Sequence, residues 1–216
     1  FMRAITHELK TPIAVTKLNL ETLLRHQLDE PTRQKLVSMT LQEANRLNTL
    51  ASNILVSAQL EDQNYQQAKE DLDFSSLVNN CIENYAVRYP VGKFLFEIEP
   101  EIDLSGDVLL LQILVNNLIE NALKYSPPES PIVCRLTAKK EIIFQVIDNG
   151  PGIPDHEKKN IFRKFYRLGN EQTRNAKGTG IGLYLCRKIA QDHHAEIKVR
   201  DHHPTGSDFA VIFIRS

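Results

Sequence analysis

Residues 116–126 read NNLIENALKYS, which is the pattern of a helix with one polar face. Asn117, Asn121 and Lys124 are spaced i, i+4 and i+7, so two carboxamides and an ammonium group share that face. Carboxamide oxygens suit Mg²⁺, and a lysine beside them suits phosphate. For an isolated asparagine pair, an ordinary solvated face is the more frequent explanation. The positions opposite are apolar: Leu114, Leu118, Ile119, Ala122 and Leu123.

Two glycine-containing segments follow this predicted helix. Residues 148–154 (DNGPGIP) come directly after a predicted strand, and residues 177–183 (KGTGIGL) lead into a predicted helix. Glycines permit close backbone approach, and a loop entering a helix presents N–H groups to anions. The intervening segment is rich in Lys, Arg and Asn, contains IFRKFYR at 161–167 and has the features of a mobile lid. Taken alone, DNGPGIP is better explained as a simple turn that ends the strand, and KGTGIGL is weak evidence for a phosphate site.

The first 60 residues differ from the rest in composition and in the spacing of their apolar residues. They contain no glycine, and their apolar residues recur at helical spacing in two stretches separated near residues 26–33. Residues 29–32 (DEPT) have helix-start chemistry, so we predict an antiparallel helical hairpin. One pair of helices cannot cover stripes this wide, which predicts a four-helix bundle formed with a second copy. The stripes comprise Ile5, Leu9, Ile13, Leu20, Leu24, Leu36, Val37, Leu41, Ala44, Leu47, Leu50, Ala51, Ile54, Leu55 and Ala58.

The rest of the chain alternates helical and strand patterns after a polar linker. We predict helices at 74–89, 107–124 and 181–193, and strands at 93–99, 132–138, 141–147, 195–200 and 207–214. This order predicts an α+β two-layer sandwich with a mixed, mostly antiparallel sheet. The expected divisions are a helical domain at 1–62, a linker at 63–73 and a second domain at 74–216.

Composition excludes several classes of function. The formal net charge is -1, which gives no field that would attract nucleic acid. The three cysteines are far apart and form no metal-binding pair, so neither a disulfide framework nor a zinc site is expected. No apolar run reaches the length of a membrane span. The chain opens in the middle of a helical pattern, so we expect a fragment whose N-terminal part is missing.

In order and spacing, these segments resemble the sensor histidine kinases, part of the wider class that includes DNA gyrase B, Hsp90 and MutL. NNLIENALKYS is similar to the N box, DNGPGIP and KGTGIGL to the two glycine boxes, IFRKFYRL to the F box, and FMRAITHELKTP at 1–12 to the H box. The resemblance covers nearly the whole chain. One departure is Ala195, where relatives often have glycine, and it concerns a turn.

The resemblance implies ATP and Mg²⁺ as cofactors and a set of residues that bind them. Asn121 would be the main Mg²⁺ ligand with Asn117 assisting, and Asp148 would accept from the adenine amino group. Phe165, with Phe162, would hold the lid. The other implied ATP contacts are Lys124, Tyr125, Gly150, Gly152, Arg167, Lys177, Gly178, Thr179, Gly180, Gly182 and Leu183.

His7 is the implied phosphoacceptor. A neutral imidazole is nucleophilic near pH 7, and Glu8 directly after it can accept the proton. Thr11, at i+4 on the same face, could orient a water that dephosphorylates the partner protein, and Pro12 gives the reactive turn room to adjust. A surface histidine is usually only solvated, so the surrounding sequence distinguishes His7.

The expected partners are a second copy and a response-regulator receiver domain, whose aspartate takes the phosphoryl group. The parent would be an inner-membrane sensor with this fragment in the cytoplasm. An ATPase clamp is one alternative, but that class has glutamate where this chain has Asn117, and Glu120 points about a quarter-turn away from Asn121. A serine kinase would lack the helical hairpin. A degenerate, non-enzymatic scaffold would not need intact motifs.

Overall fold

The computed structural model describes residues 2–62, 68–168 and 178–214, and begins with a pair of long helices. Helix α1 spans Met2–Arg25 and helix α2 spans Glu30–Gln59. Asp29 occupies the N-cap position of α2, with proline in the first turn, but its side chain makes no capping hydrogen bond. The turn therefore lies where the sequence predicts it, without the expected side-chain cap.

Large apolar side chains on both helices face solvent in the single chain. The exposed fraction is 62% for Leu41, 64% for Leu55 and 53% for Ile13, and Leu20, Leu24 and Val37 are exposed too. Fully burying one such side chain stabilises a protein by about 1.5–3 kcal/mol. Among the residues that the structure describes, no helix is long and apolar enough to span a membrane.

The second part of the chain is an α+β sandwich, which confirms the predicted fold class. Its elements are β1 (Glu70–Asp73), α3 (Phe74–Ala86), β2 (Phe94–Ile98), β3 (Asp103–Gly106), α4 (Val108–Tyr125), β4 (Ile132–Ala138), β5 (Glu141–Asp148), α5 (Gly182–Asp192), β6 (Ala195–Asp201) and β7 (Ser207–Ile214). The five-stranded sheet has the order β2-β4-β5-β7-β6, in which β2 and β4 are parallel and the other pairs are antiparallel. In the described residues three α-helices accompany the sheet, and the tight turn at residues 139 and 140 joins β4 to β5 as predicted.

The end of the predicted linker is wrong in one respect. Residues 70–73 form strand β1, which pairs antiparallel with β3, a strand that the sequence did not predict. The side chains of β1 are almost all exposed, so the strand lacks the apolar alternation that reveals a half-buried strand. Backbone hydrogen bonds hold this two-stranded ribbon, and Asp73 then caps α3 by accepting from the Ser76 backbone N–H.

The core fixes the orientation of α4. Its apolar positions Leu114, Leu118 and Ile119 are completely buried, as the sequence predicts. Asp107 caps the helix by accepting from the Leu110 N–H at 3.1 Å. With the apolar side held against the core, the polar positions of α4 point to the loops at the edge of the lobe.

A buried histidine beside this cap gives a pH prediction. His193 is 7% exposed; its Nε2 accepts from the Asp107 N–H at 3.0 Å, and Nδ1 lies 2.7 Å from the Ile189 carbonyl oxygen. Burial lowers the pKa of His193 below its ordinary value of 6.5. The unfolded chain therefore takes up this proton more readily, so stability is full above about pH 6.5 and decreases as the pH falls below it.

We expect the free energy of unfolding to decrease as the pH is lowered from 7.5 to 5.5, which is roughly one unit either side of the ordinary histidine pKa. Denaturant titrations at each pH would measure it. In His193→Gln the slope should be smaller, and an equal slope in the two proteins would contradict the assignment.

Candidate nucleotide-binding site

The second glycine loop runs along the polar face of α4. A Cβ placed on Gly178 would lie 2.5 Å from the Lys124 Nζ, and one on Gly182 would lie 2.9 Å from the Asn117 Oδ1. Asn117 is buried, Asn121 is half-buried and Lys124 is exposed. The structure thus brings together the two segments that the sequence singled out, and a side chain at either glycine would require Lys124 or Asn117 to move.

This loop also forms a hydrogen bond with the segment that contains Phe165. Gly180 has a φ of +71°, and its carbonyl oxygen accepts from the Phe165 N–H at 2.9 Å. The Thr179 hydroxyl accepts from the Ile181 N–H at 3.3 Å, just before α5 begins. Leu183 packs against the core and Arg167 is half-buried. Lys177 lies in residues 169–177, outside the described residues, so its predicted role stays a prediction.

Asp148 ends strand β5 and is only 3% exposed. Its Oδ1 accepts from the Gly150 N–H at 2.8 Å and from the Ser207 N–H at 3.3 Å. Burial raises the pKa of the carboxyl, and these two N–H groups act in the opposite direction. With one oxygen held by the backbone, the second can accept from a ligand amine.

The segment after α4 lies directly against the first glycine segment. A Cβ on Gly150 would lie 3.0 Å from the Tyr125 carbonyl oxygen. The Asn149 N–H donates to the Ser126 hydroxyl at 3.4 Å, and its side-chain amide donates to the Pro131 carbonyl at 2.8 Å. Gly152 has a φ of +76°, a conformation that favours glycine. The end of α4 and the segment that follows Asp148 are therefore in direct contact.

The structure adds a contact that the sequence did not predict, between α2 and the site. The Asn53 side-chain amide donates to the Asn117 Oδ1 at 3.2 Å, and both residues are buried. Glu61 lies 2.6 Å from the Lys164 Nζ and accepts from the Tyr184 hydroxyl at 2.7 Å. These two donors lower the pKa of Glu61. The end of α2 is therefore docked beside the predicted metal ligands.

Glu120 is turned away from the polar face, as the helical spacing predicts. Its Oε1 accepts from the Tyr85 hydroxyl of α3 at 3.0 Å, and burial raises the pKa of its carboxyl. Among the described residues, no group of three or more His, Cys, Asp or Glu side chains could hold a metal ion. A metal at this site would be held by the carboxamides together with the phosphates of a nucleotide.

The predicted phosphoacceptor region lies on α1. His7 and Glu8 are within this helix, but their side chains lie outside the part that the structure describes. Thr11 is half-buried, and α1 continues through Pro12 without a break. The chemical roles of these residues stay predictions.

Comparison with known proteins assigns both parts of the chain. Residues 106–215 match the family described as histidine kinase-, DNA gyrase B-, and HSP90-like ATPase, and residues 1–63 match the His Kinase A (phospho-acceptor) domain. The chain belongs to the sensor histidine kinases. Because the nucleotide-binding family spans α4, β5 and α5, ATP binding is assigned to the same lobe that holds the site described above.

Several histidine kinases are similar along nearly the whole chain. The sensor-like histidine kinase SenX3 of Mycobacterium tuberculosis is 29% identical over 98% of this chain and 52% of that protein. The sensor protein CiaH of Streptococcus pneumoniae is 31% identical over 98% of this chain and 48% of that protein. This histidine kinase chain thus spans about half the length of the relatives that it matches.

Solved structures show the same fold. The Acinetobacter baumannii histidine kinase AdeS covers 96% of this chain, and 97% of its own chain is covered, with a TM-score of 0.69 at 21% identity. The mycobacterial sensor histidine kinase MprB matches 68% of this chain and 97% of its own, with a TM-score of 0.59 at 25% identity.

Proposed function

We propose that this histidine kinase binds ATP with Mg²⁺, transfers the γ-phosphoryl group to His7, and passes it on to an aspartate of a response-regulator receiver domain. The observation that carries the proposal is the meeting of the polar face of α4 with the glycine loop at 178–182 and the buried Asp148, in one chain with a phospho-acceptor helix pair. An ATPase clamp and a serine kinase are disfavoured by the helix pair and by the position of Glu120.

Each part of the site would serve one part of the nucleotide. Asp148 would accept from the adenine amino group while Gly150 and Gly152 let the base approach. Lys124 and the N–H groups that precede α5 would hold the phosphates. Asn121, with Asn117, would hold Mg²⁺, which neutralises phosphate charge during transfer. The space that Gly178 leaves beside Lys124 fits this assignment, because a side chain there would displace the ammonium group from its present position.

His7 would act as a nucleophile and Glu8 as its proton acceptor. The neutral imidazole attacks the γ-phosphorus, the bond to the bridging oxygen of ADP breaks, and the ring proton passes to the carboxylate. The phosphorus–nitrogen bond formed on His7 can then be broken by attack of a receiver aspartate, which takes the phosphoryl group and leaves the imidazole free. Thr11 would take part in a phosphatase activity by orienting a water molecule that hydrolyses the phosphorylated receiver.

Incubation with ATP labelled at the γ-phosphate would test the proposal. We expect a phosphoprotein that is labile in acid and stable in base, and loss of its label when a receiver domain is added. Release of phosphate without any labelled protein would instead favour a hydrolytic ATPase.

We also propose that the chain is a homodimer through α1 and α2, in a parent protein held at the inner membrane by a part outside this chain. Replacing Leu41 with glutamate puts a charge on the exposed apolar stripe, so we expect the dissociation constant of the dimer to rise at least about 10-fold. Analytical ultracentrifugation would measure it. Gln42→Glu, on the next position of α2 and also exposed, is the matched control. Equal association of both variants would contradict the proposed interface.

A further inference from the structure

Lys93 is a buried lysine whose side chain ends among backbone carbonyl groups. It is 7% exposed, and its Nζ donates to the carbonyl oxygens of Pro127 at 3.0 Å, Pro128 at 3.1 Å and Ser130 at 2.7 Å. An ammonium group has three donors and no acceptor, so three converging carbonyls satisfy it completely. Lysine is seldom buried this deeply, and the arrangement therefore calls for a function.

The chemistry of the loop explains why it needs an external cation. Residues 127–131 read PPESP, and prolines have no backbone N–H. The loop has few donors of its own for its carbonyls; the Ser130 N–H reaches Pro127 at 3.1 Å. The ammonium group of Lys93 supplies three hydrogen-bond donors that the sequence of the loop lacks.

Both ends of this loop contact the nucleotide-binding segment. At one end Ser126 accepts from the Asn149 N–H, and at the other the Pro131 carbonyl accepts from the Asn149 side chain at 2.8 Å. Asn149 lies between the buried Asp148 and Gly150. Both ends of the loop thus contact Asn149, the residue that directly follows Asp148.

We propose that Lys93 is a positioning residue for ATP: its ammonium group acts as a built-in cation that holds loop 127–131 against Asn149 and so aligns the adenine-binding carboxylate with the polar face of α4. The inference rests on the proposed ATP site. Lys93 itself need not touch the nucleotide.

Chemical rescue tests this role. Lys93→Ala removes three methylene groups and the ammonium, which together are the propylammonium ion. We expect Lys93→Ala and Lys93→Met each to bind ATP on the order of 10-fold more weakly, because the three loop carbonyls lose their charged donor and the loop loses its tie to Lys93. Millimolar propylammonium should restore much of the affinity of Lys93→Ala only, since the methionine side chain fills the space in Lys93→Met. Isothermal titration with ATP and Mg²⁺ would measure the affinities.

Lys69→Met is the matched control, because Lys69 is exposed and donates to one backbone carbonyl, that of Asp192 at 2.9 Å, where Lys93 donates to three. We expect wild-type affinity in this variant. Wild-type affinity in Lys93→Met would overturn the inference, as would weakened binding in Lys93→Ala that propylammonium leaves unchanged. If the wild-type chain and Lys69→Met fail to bind ATP, the proposed function fails instead. Should Lys93→Ala not fold, Lys93→Met alone decides the outcome.

Discussion

We expect the His7→Gln variant to take up no phosphoryl group from ATP while still binding the nucleotide. Glutamine is close to histidine in size and tolerated in helices, so α1 keeps its conformation. Its amide is not nucleophilic, because the nitrogen lone pair is delocalised, so no bond to phosphorus can form. The loss is therefore one of chemistry, and ATP affinity, which depends on the other lobe, should stay within about 2-fold of wild type.

Two measurements would check this expectation. Labelling with γ-phosphate reports the chemical step, and titration with a non-hydrolysable ATP analogue reports binding. His26→Gln is a suitable control, since His26 is an exposed histidine just after the end of α1. Labelling in His7→Gln comparable to that of the control would show that another residue accepts the phosphoryl group. Loss of ATP binding would show that the variant disturbs more than the acceptor.

The sequence predicted the elements that follow a strong period or a strong cap. Helix α4 was predicted because its apolar positions repeat with helical spacing and Asp107 provides a side-chain cap, and strands β4 and β5 because apolar residues alternate around a short turn. Strand β1 was missed because its side chains are exposed and only backbone pairing with β3 defines it. Local sequence patterns reflect which side chains are buried, so a strand whose side chains are almost all exposed has no alternating pattern to detect.

The contacts between distant segments could not be predicted in the same way. Asn53 reaches Asn117 across 64 residues of sequence, and neither residue carries a signal that names the other. The same is true of Ser207, whose N–H supports Asp148, and of Lys93, which looked like an ordinary residue at the start of a strand. Resemblance to a family predicted which residues would contact the ligand. The resemblance did not predict the residues that support these predicted ligand contacts, such as Asn53, Ser207 and Lys93.

The second large effect is expected at Asp148, when it is replaced by asparagine. The two side chains have nearly the same shape, so the asparagine oxygen can still accept from the N–H groups of Gly150 and Ser207. The other position of the side chain then carries an NH₂ group instead of an oxygen. In the proposed site this group faces the adenine amino group, and two donors cannot bond to each other.

We expect ATP affinity in Asp148→Asn to fall on the order of 100-fold, because a hydrogen bond to a charged acceptor is lost and a buried donor is left without a partner. Guanine has a carbonyl oxygen where adenine has its amino group, so the new NH₂ can donate to it, and the preference for ATP over GTP should narrow. Competition titrations with both nucleotides would measure the two quantities. Asp155→Asn is the control, since its carboxylate is exposed and pairs with Lys158. Unchanged ATP affinity and unchanged preference in Asp148→Asn would mean that the buried carboxylate serves only the fold, and the base would then have to be recognised elsewhere.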